Sequence, residues 1–442
     1  MTQSQFLHSL FQTLAAYKID YFVIGDYRSL PDSVGQSDLD IIVAPVHRER
    51  LHDLLAVLCR DAGVRLASFY RNDTSHFYRL LHADWGLQLD VFHVDSLLYR
   101  GAPYFPVSLL RHHLTTWHDV RVLSLDFSLY HGFIKEALHL LRAKDKYVDG
   151  FFQRLSAERA AVLAELTELY GEKVAALLDG VATRDDLLAV IPAFGKALRR
   201  SVKCRHPFAP LFWRLRLAGR FFRRRPGYVI AVLGTDGSGK STVINALTPW
   251  LSECFHDSVH YQHLRPTLLP DLGVVTGKKK PQAGPVTNPH GGRPSSFPVS
   301  LVRWLYYMLD YTLGYLVRVF PHVRTRSWCY IFDRYYQDYY IDPRRSRTQL
   351  PHWLFRLGEV FVPSPDVILC LGGDPEAIYA RKPETSLDEV RRQTDVLRRL
   401  CDARKNAVWV DTTQPLPDTL SAARDAVFTT LTRRFSFSAI RG

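Results

Sequence analysis

The stretch that most limits how this chain can fold runs from Tyr228 to Thr242. Tyr228 to Leu233 (YVIAVL) is a short apolar, β-branched run, the pattern of a strand buried on both faces of a parallel sheet. Gly234 to Thr242 (GTDGSGKST) follows directly and fits G-x-x-x-x-G-K-[ST]. Strand, glycine loop and helix in that order imply an α/β domain whose loop closes on an anion at a helix N-terminus. Gly234, Gly237 and Gly239 let successive main-chain amides turn inward without Cβ clashes, so the cradle also takes in Thr235, Asp236 and Ser238. Lys240 is placed to reach the β- and γ-phosphates of a nucleotide and the Ser241 hydroxyl to ligate Mg²⁺, with Thr242 in the opening turn of the helix.

At 442 residues the chain exceeds one ordinary core, so two or three domains are expected. The content of 47% hydrophobic and 23% charged residues is that of a folded protein throughout. The six cysteines are scattered with no C-x-x-C spacing, which argues for reduced thiols in a cytoplasmic protein and against zinc or disulfides. The N-terminus, MTQSQFLHSL, lacks the regions of a signal peptide. No apolar run reaches membrane-spanning length. The nearest, Trp304 to Phe320, carries Asp310 and Arg318 and reads as a largely buried helix.

The net charge of +13 is unevenly spread. Residues 1–195 carry a net −5, residues 196–227 a net +11 with no acid at all, and residues 228–442 a net +7. The basic excess is mainly a property of the linker, so it gives little support for nucleic-acid binding.

In the first part of the chain, Phe6 to Lys18 has a helical period and Tyr21 to Ile24 reads as a strand ended by Gly25. After a turn-rich loop, Asp38-Leu39-Asp40 opens the run Ile41-Ile42-Val43, so both carboxylates lie on one face of a strand. Leu87 to Val94 is another strand, with Asp90 in its middle. Three like charges on neighbouring strands repel unless a divalent cation sits between them. The stretch resembles the nucleotidyltransferase superfamily, and by that resemblance Asp38, Asp40 and Asp90 are metal-binding carboxylates. One departure is Asp26 after Gly25, an anion where the family grips a triphosphate. The nucleotidyltransferase-like α+β domain spans 1–124, followed by a helical extension over 125–198.

Residues 199–227 form a basic amphipathic linker. Phe208, Leu211, Phe212, Leu215 and Phe222 fall near one stripe, and Arg214, Arg216, Arg220 and Arg223 to Arg225 fill the remainder. This stripe is expected to dock on one of the domains, the nearest apolar surface. Peripheral contact with an anionic membrane is the alternative.

The last domain, 228–442, reads as five short parallel strands alternating with helices, a doubly wound α/β class. Cys329 to Phe332 runs into Asp333-Arg334-Tyr335, an apolar strand ending in an acid suited to a Mg²⁺ shell. Glu376 to Leu400 is helical and basic, with Arg381-Lys382. A long loop, Thr267 to Ser300, holds Lys278 to Lys280 and Asn288 to Gly292 and is of the length that is usually functional or mobile.

Over Tyr228 to Leu431 the domain resembles thymidylate kinase and its nucleoside-monophosphate kinase relatives, on the G-x-D-G-x-G-K-S-T loop, Asp333-Arg334-Tyr335, Arg381-Lys382 and Asp411-Thr412-Thr413. The resemblance implies that Asp236 faces the acceptor, Arg265, Arg334 and Tyr335 line its site, and Arg381 closes over the transferring group. It departs where Arg265 is followed directly by Pro266 and where Tyr306, Tyr307 and Asp310 replace the arginine that meets thymine.

The expected function is therefore an ATP- and Mg²⁺-dependent phosphotransferase acting on a small phosphorylated or hydroxylated acceptor. One alternative is a bifunctional nucleotidyltransferase and kinase acting on sugar or polysaccharide precursors. Another is a nucleotide-switched protein of the membrane surface. A homodimer is compatible with the pattern.

Overall fold

The strand Tyr228–Gly234 is buried along its whole length because it sits third of five in a sheet. In order across that sheet come Val259–His263, Cys329–Asp333, Tyr228–Gly234, Val367–Gly372 and Ala407–Asp411, all parallel. Alternation decides which layer each side chain enters. Tyr228, Ile230 and Val232 face a core with Val243, Leu247, Leu251 and Val427, supplied by the helices Lys240–Phe255 and Leu416–Thr432. Val229, Ala231 and Leu233 face the opposite core, with Trp304, Tyr311, Tyr315 and Leu397. Covered on both faces, the strands need no polar side, which explains their continuous apolar runs. The chain leaves Gly234 towards one edge of the sheet and later crosses to the other, so the crevice beyond the carboxyl ends opens beside the glycine loop.

The computed structural model describes residues 1–35, 37–71, 74–270, 272, 295–346 and 348–440. They form two units: 1–63, 71–78 and 88–223, and then 64–70, 79–87 and 224–442. In the first unit a mixed sheet sets the strands Gly86–Phe92, Leu39–Val43, Tyr21–Ile24, Val120–Leu123 and Leu114–Trp117 side by side in that order. Leu39–Val43 runs parallel to Gly86–Phe92 with Asp40 opposite Asp90. The helices Leu125–Leu140, Asp145–Ala157, Arg159–Tyr170 and Arg184–Arg205 bring Phe127, Phe133, Phe151 and Phe194 into one aromatic core.

Three expectations are corrected. The segment read as a largely buried helix is an α-helix over Phe297–Leu309 that continues as a π-helix over Asp310–Val319. Its inner side carries Trp304, Asp310, Tyr311 and Tyr315, while Leu305, Leu309, Leu313, Leu316 and Val317 are exposed. The apolar count of that stretch was right for a core, but aromatic residues, with Val319, took the inner stripe and left most of the aliphatic ones outside. The linker helix, Ala209–Gly219, buries none of its residues, so its stripe is not docked. The basic helix near the C-terminus is two, Pro375–Arg381 and Leu387–Asp402, because Ser386 caps the second by accepting the Glu389 amide.

The expectation about the Thr267 to Ser300 loop, with Lys278 to Lys280 and Asn288 to Gly292, falls mostly outside the described residues. Among the described residues no helix is long and apolar enough to cross a membrane.

Candidate active site

The loop after Tyr228–Gly234 turns twice through left-handed backbone, at Gly237 (φ 83°) and Gly239 (φ 79°), conformations that side chains resist. Gly239 is then the N-cap of Lys240–Phe255, so the helix starts at the loop and directs its first amides into a cleft of about 1490 Å³. Ser241 and Thr242 are exposed in that first turn and line the cleft. Thr235 Oγ1 and Ser238 Oγ are buried with no partner among the described residues.

Lys240 is buried and folds back on the loop, donating to the carbonyls of Gly234 (3.0 Å) and Thr235 (2.7 Å). Burial, with the Arg334 guanidinium adding to it, pushes its ammonium down to about 7. A cation held this far from its ordinary range is poised to take up an anion.

Asp333 ends its strand opposite Val232. Its Oδ2 accepts from the Tyr261 hydroxyl at 3.1 Å and lies 3.4 Å from His263 Nδ1. Its Oδ1 is buried without a partner among the described residues. Burial raises this carboxyl, but His263, Lys240 and Arg334 outweigh it and hold it below the usual range. An ionised oxygen with an open valence in the cleft wall, with the Ser241 hydroxyl lining the same cleft, is a donor set that fits Mg²⁺.

Arg334 adopts φ 70°, rare for a residue other than glycine, and its amide donates to the Val232 carbonyl. Strain of this kind persists where the surroundings demand it. Here they do: Arg334 is 2% exposed and its guanidinium donates to Asp236 at 2.6 Å and to Asp338 at 2.8 Å. The other Asp236 oxygen accepts from Arg345, which also donates to Asp342 at 3.3 Å. Burial would raise Asp236, yet Arg334, Arg345, Lys240 and Lys382 hold it at about 2.

This corrects the expected role of Asp236. It does not present a free carboxylate to an acceptor; it fixes two arginines in the cleft wall.

Arg265 lines the cleft, with its guanidinium donating to the fully buried Asp310 at 2.6 Å and stacked over Tyr307 at 4.5 Å. Tyr335 is a buried wall whose hydroxyl donates to the Pro363 carbonyl at 2.7 Å, so only its ring is offered. Arg381 and Lys382 line the cleft from the end of Pro375–Arg381 and are exposed. Sequence reasoning missed Arg345, Asp338 and Asp342. The faint signal was the Arg334–Asp338 spacing of four and the turn Asp342-Pro343-Arg344-Arg345.

Asp38, Asp40 and Asp90 lie in the first unit, not in this cleft. One ligand oxygen of each falls within 4.8 Å of the others. The Gln88 amide donates to Asp38 at 2.9 Å and to Asp90 at 3.4 Å. Asp26, the anion that departs from the nucleotidyltransferase pattern, is paired with Arg28 at 2.7 Å.

No family model matches the chain, and no curated protein matches it. Among solved structures the chain is similar to thymidylate kinase from Ehrlichia chaffeensis, at 16% identity and a TM-score of 0.31, over 47% of this chain and 99% of that one.

Proposed function

We propose that the chain is an ATP- and Mg²⁺-dependent phosphotransferase of the thymidylate kinase-like kind, with the transfer carried out in the 228–442 domain. One arrangement supports this reading above all: a buried ammonium under a glycine loop, in the same cleft as Asp333 Oδ1, which has no partner among the described residues. The loop amides and Lys240 hold the triphosphate of ATP. Asp333 and Ser241 hold Mg²⁺, which neutralises charge on the β- and γ-phosphates. Arg334, Arg345 and the exposed Arg381 supply cations where the transferring group gains charge on its equatorial oxygens.

In the reaction an acceptor oxygen bonds to the γ-phosphorus as the bond to the bridging oxygen breaks, and ADP leaves. Asp236, held at about 2 by its cations, is a poor proton acceptor. That favours an acceptor already ionised at neutral pH, a phosphate monoester such as dTMP or a sugar phosphate, over a free hydroxyl. A transfer screen with γ-labelled ATP tests it: label should pass to nucleoside monophosphates or sugar phosphates, and label passing only to unphosphorylated alcohols would reject it.

A second reading concerns the other end of the chain. The clustering of Asp38, Asp40 and Asp90 within 4.8 Å favours a nucleotidyltransferase-like domain over 1–124, backed by the helices of 125–198. Together the two would make a bifunctional enzyme acting on sugar or polysaccharide precursors. In a Lys240→Ala background, Mn²⁺-nucleotide binding should fall when Asp38→Asn and Asp40→Asn are added; unchanged binding counts against this second site.

A further inference from the structure

We infer that the helix Ala209–Gly219, with the turn after it, is a docking surface for an anionic lipid membrane. The observation is which face of this helix looks outward. Phe208, Leu211, Phe212 and Leu215 stand at the i, i+3, i+4, i+7 positions of one helical stripe, and all four are 54% or more exposed. Phe222, 91% exposed, follows in the 3₁₀ turn Arg220–Phe222. The opposite side of the helix is the one turned to the protein: a Cβ at Gly101 would meet the Ala209 carbonyl at 3.2 Å and Trp213 Cβ at 3.2 Å. By helical spacing Arg214 and Arg216 fall on the two flanks of the outward stripe, and Arg223 and Arg224 follow it, all four exposed.

Charge selects the occupant. No acid occurs between Asp186 and Asp236, so a second copy meeting this face would set arginines against arginines. Leucines at the middle of the stripe cannot stack on nucleobases as aromatic rings do. An anionic bilayer satisfies both halves at once, taking the leucines and phenylalanines below the headgroups while phosphates meet the flanking guanidiniums. The surface is an in-plane one, since the helix is too short to span.

The test uses the full chain and vesicles of phosphatidylcholine alone or with about one-third phosphatidylglycerol. Co-sedimentation is expected with the anionic vesicles and not with the neutral ones. It should weaken several-fold as salt rises from about 0.1 to about 0.5 M. Leu211→Ser with Leu215→Ser should lower the anionic-vesicle affinity by at least about tenfold. Arg214→Glu with Arg223→Glu should do the same, each charge being worth roughly fivefold. Thermal unfolding of both variants, whose changed side chains are exposed, should match the parent. Binding to both vesicle types alike, or to neither, would overturn the inference. So would either variant pair binding as the parent does, a protein dimer in ultracentrifugation that Leu211→Ser disperses, or RNA displacing the vesicles while the leucine variant keeps RNA binding.

Discussion

Two clusters of aspartates in this chain are built on opposite plans. In the cleft of the second unit Asp236 meets Arg334 and Arg345, Asp338 meets Arg334 and Asp342 meets Arg345, with Asp310 meeting Arg265 behind it, while Asp333 stands apart, held by Tyr261 and His263. In the first unit Asp38, Asp40 and Asp90 gather within 4.8 Å of one another, and a neutral Gln88 amide bridges two of them. The first plan holds guanidiniums still and leaves the cleft basic, suited to phosphates. The second concentrates negative charge that a divalent cation would relieve. Apart from Asp333, the cleft's aspartates are tied to arginines and those of the first cluster stand against one another, so the same residue type takes a different setting according to what stands beside it.

The sharpest way to break the comparison is to remove the cleft's buried ammonium. Lys240→Ala should reduce ATP turnover by at least about 10³-fold while leaving unchanged the divalent-cation binding proposed for the first unit. Turnover surviving in that variant would sink the assignment of the cleft. Asp310→Asn should come next: it leaves the Arg265 guanidinium without its buried counter-charge and should cost about 3 kcal/mol or more of stability, read from thermal or denaturant unfolding.

A subtler prediction concerns protons. Because Lys240 sits near 7 rather than above 10, it is largely neutral at pH 8 until an anion arrives. ATP binding should therefore take up close to one proton at pH 8 and almost none at pH 6. Calorimetry in buffers of different ionisation enthalpy measures this. For the same group, stability should rise with pH between about 7 and 10, since the unfolded chain binds the extra proton there. Asp236 works in the opposite range: its folded value near 2 lies below that of the unfolded chain, so its contribution is complete above about pH 4 and lost as pH falls towards 2.

The smallest effect is expected in the acidic cluster. Asp38→Asn with Asp40→Asn should stabilise the chain by under about 1 kcal/mol in chelator, by relieving repulsion, and lose that advantage in Mg²⁺. A difference scan of melting temperature with and without the ion reads both signs.

Much of the cleft was legible because its parts are local. The apolar run Tyr228 to Leu233, the glycines at 237 and 239 and the lysine after them specify strand, turn and helix within fifteen residues. The Asp38–Asp40 pair was legible for a similar reason, since alternation along a strand needs no knowledge of the neighbours. Reading went astray where an element's two faces had to be assigned. Trp304 to Phe320 has enough apolar residues for a buried helix, and nothing in their count says that Trp304, Tyr311 and Tyr315 turn inward while Leu305, Leu309 and Leu313 stay outside. Phe208 to Phe222 shows the reverse case, a periodic stripe for which the chain order cannot specify a covering surface.

What the chain order by itself determined, then, was the set of backbone shapes and the residues that could carry charge or bind phosphate, because dihedral preference and periodicity act between near neighbours. Only the tertiary structure decided which charges meet. Asp236 is joined to arginines 98 and 109 positions away, and that encounter turns an expected acceptor contact into a clamp. It also decided how far each group is shifted, as with Lys240 at about 7. Burial and Coulomb fields sum over everything nearby in space, and most of what is nearby in space is distant along the chain.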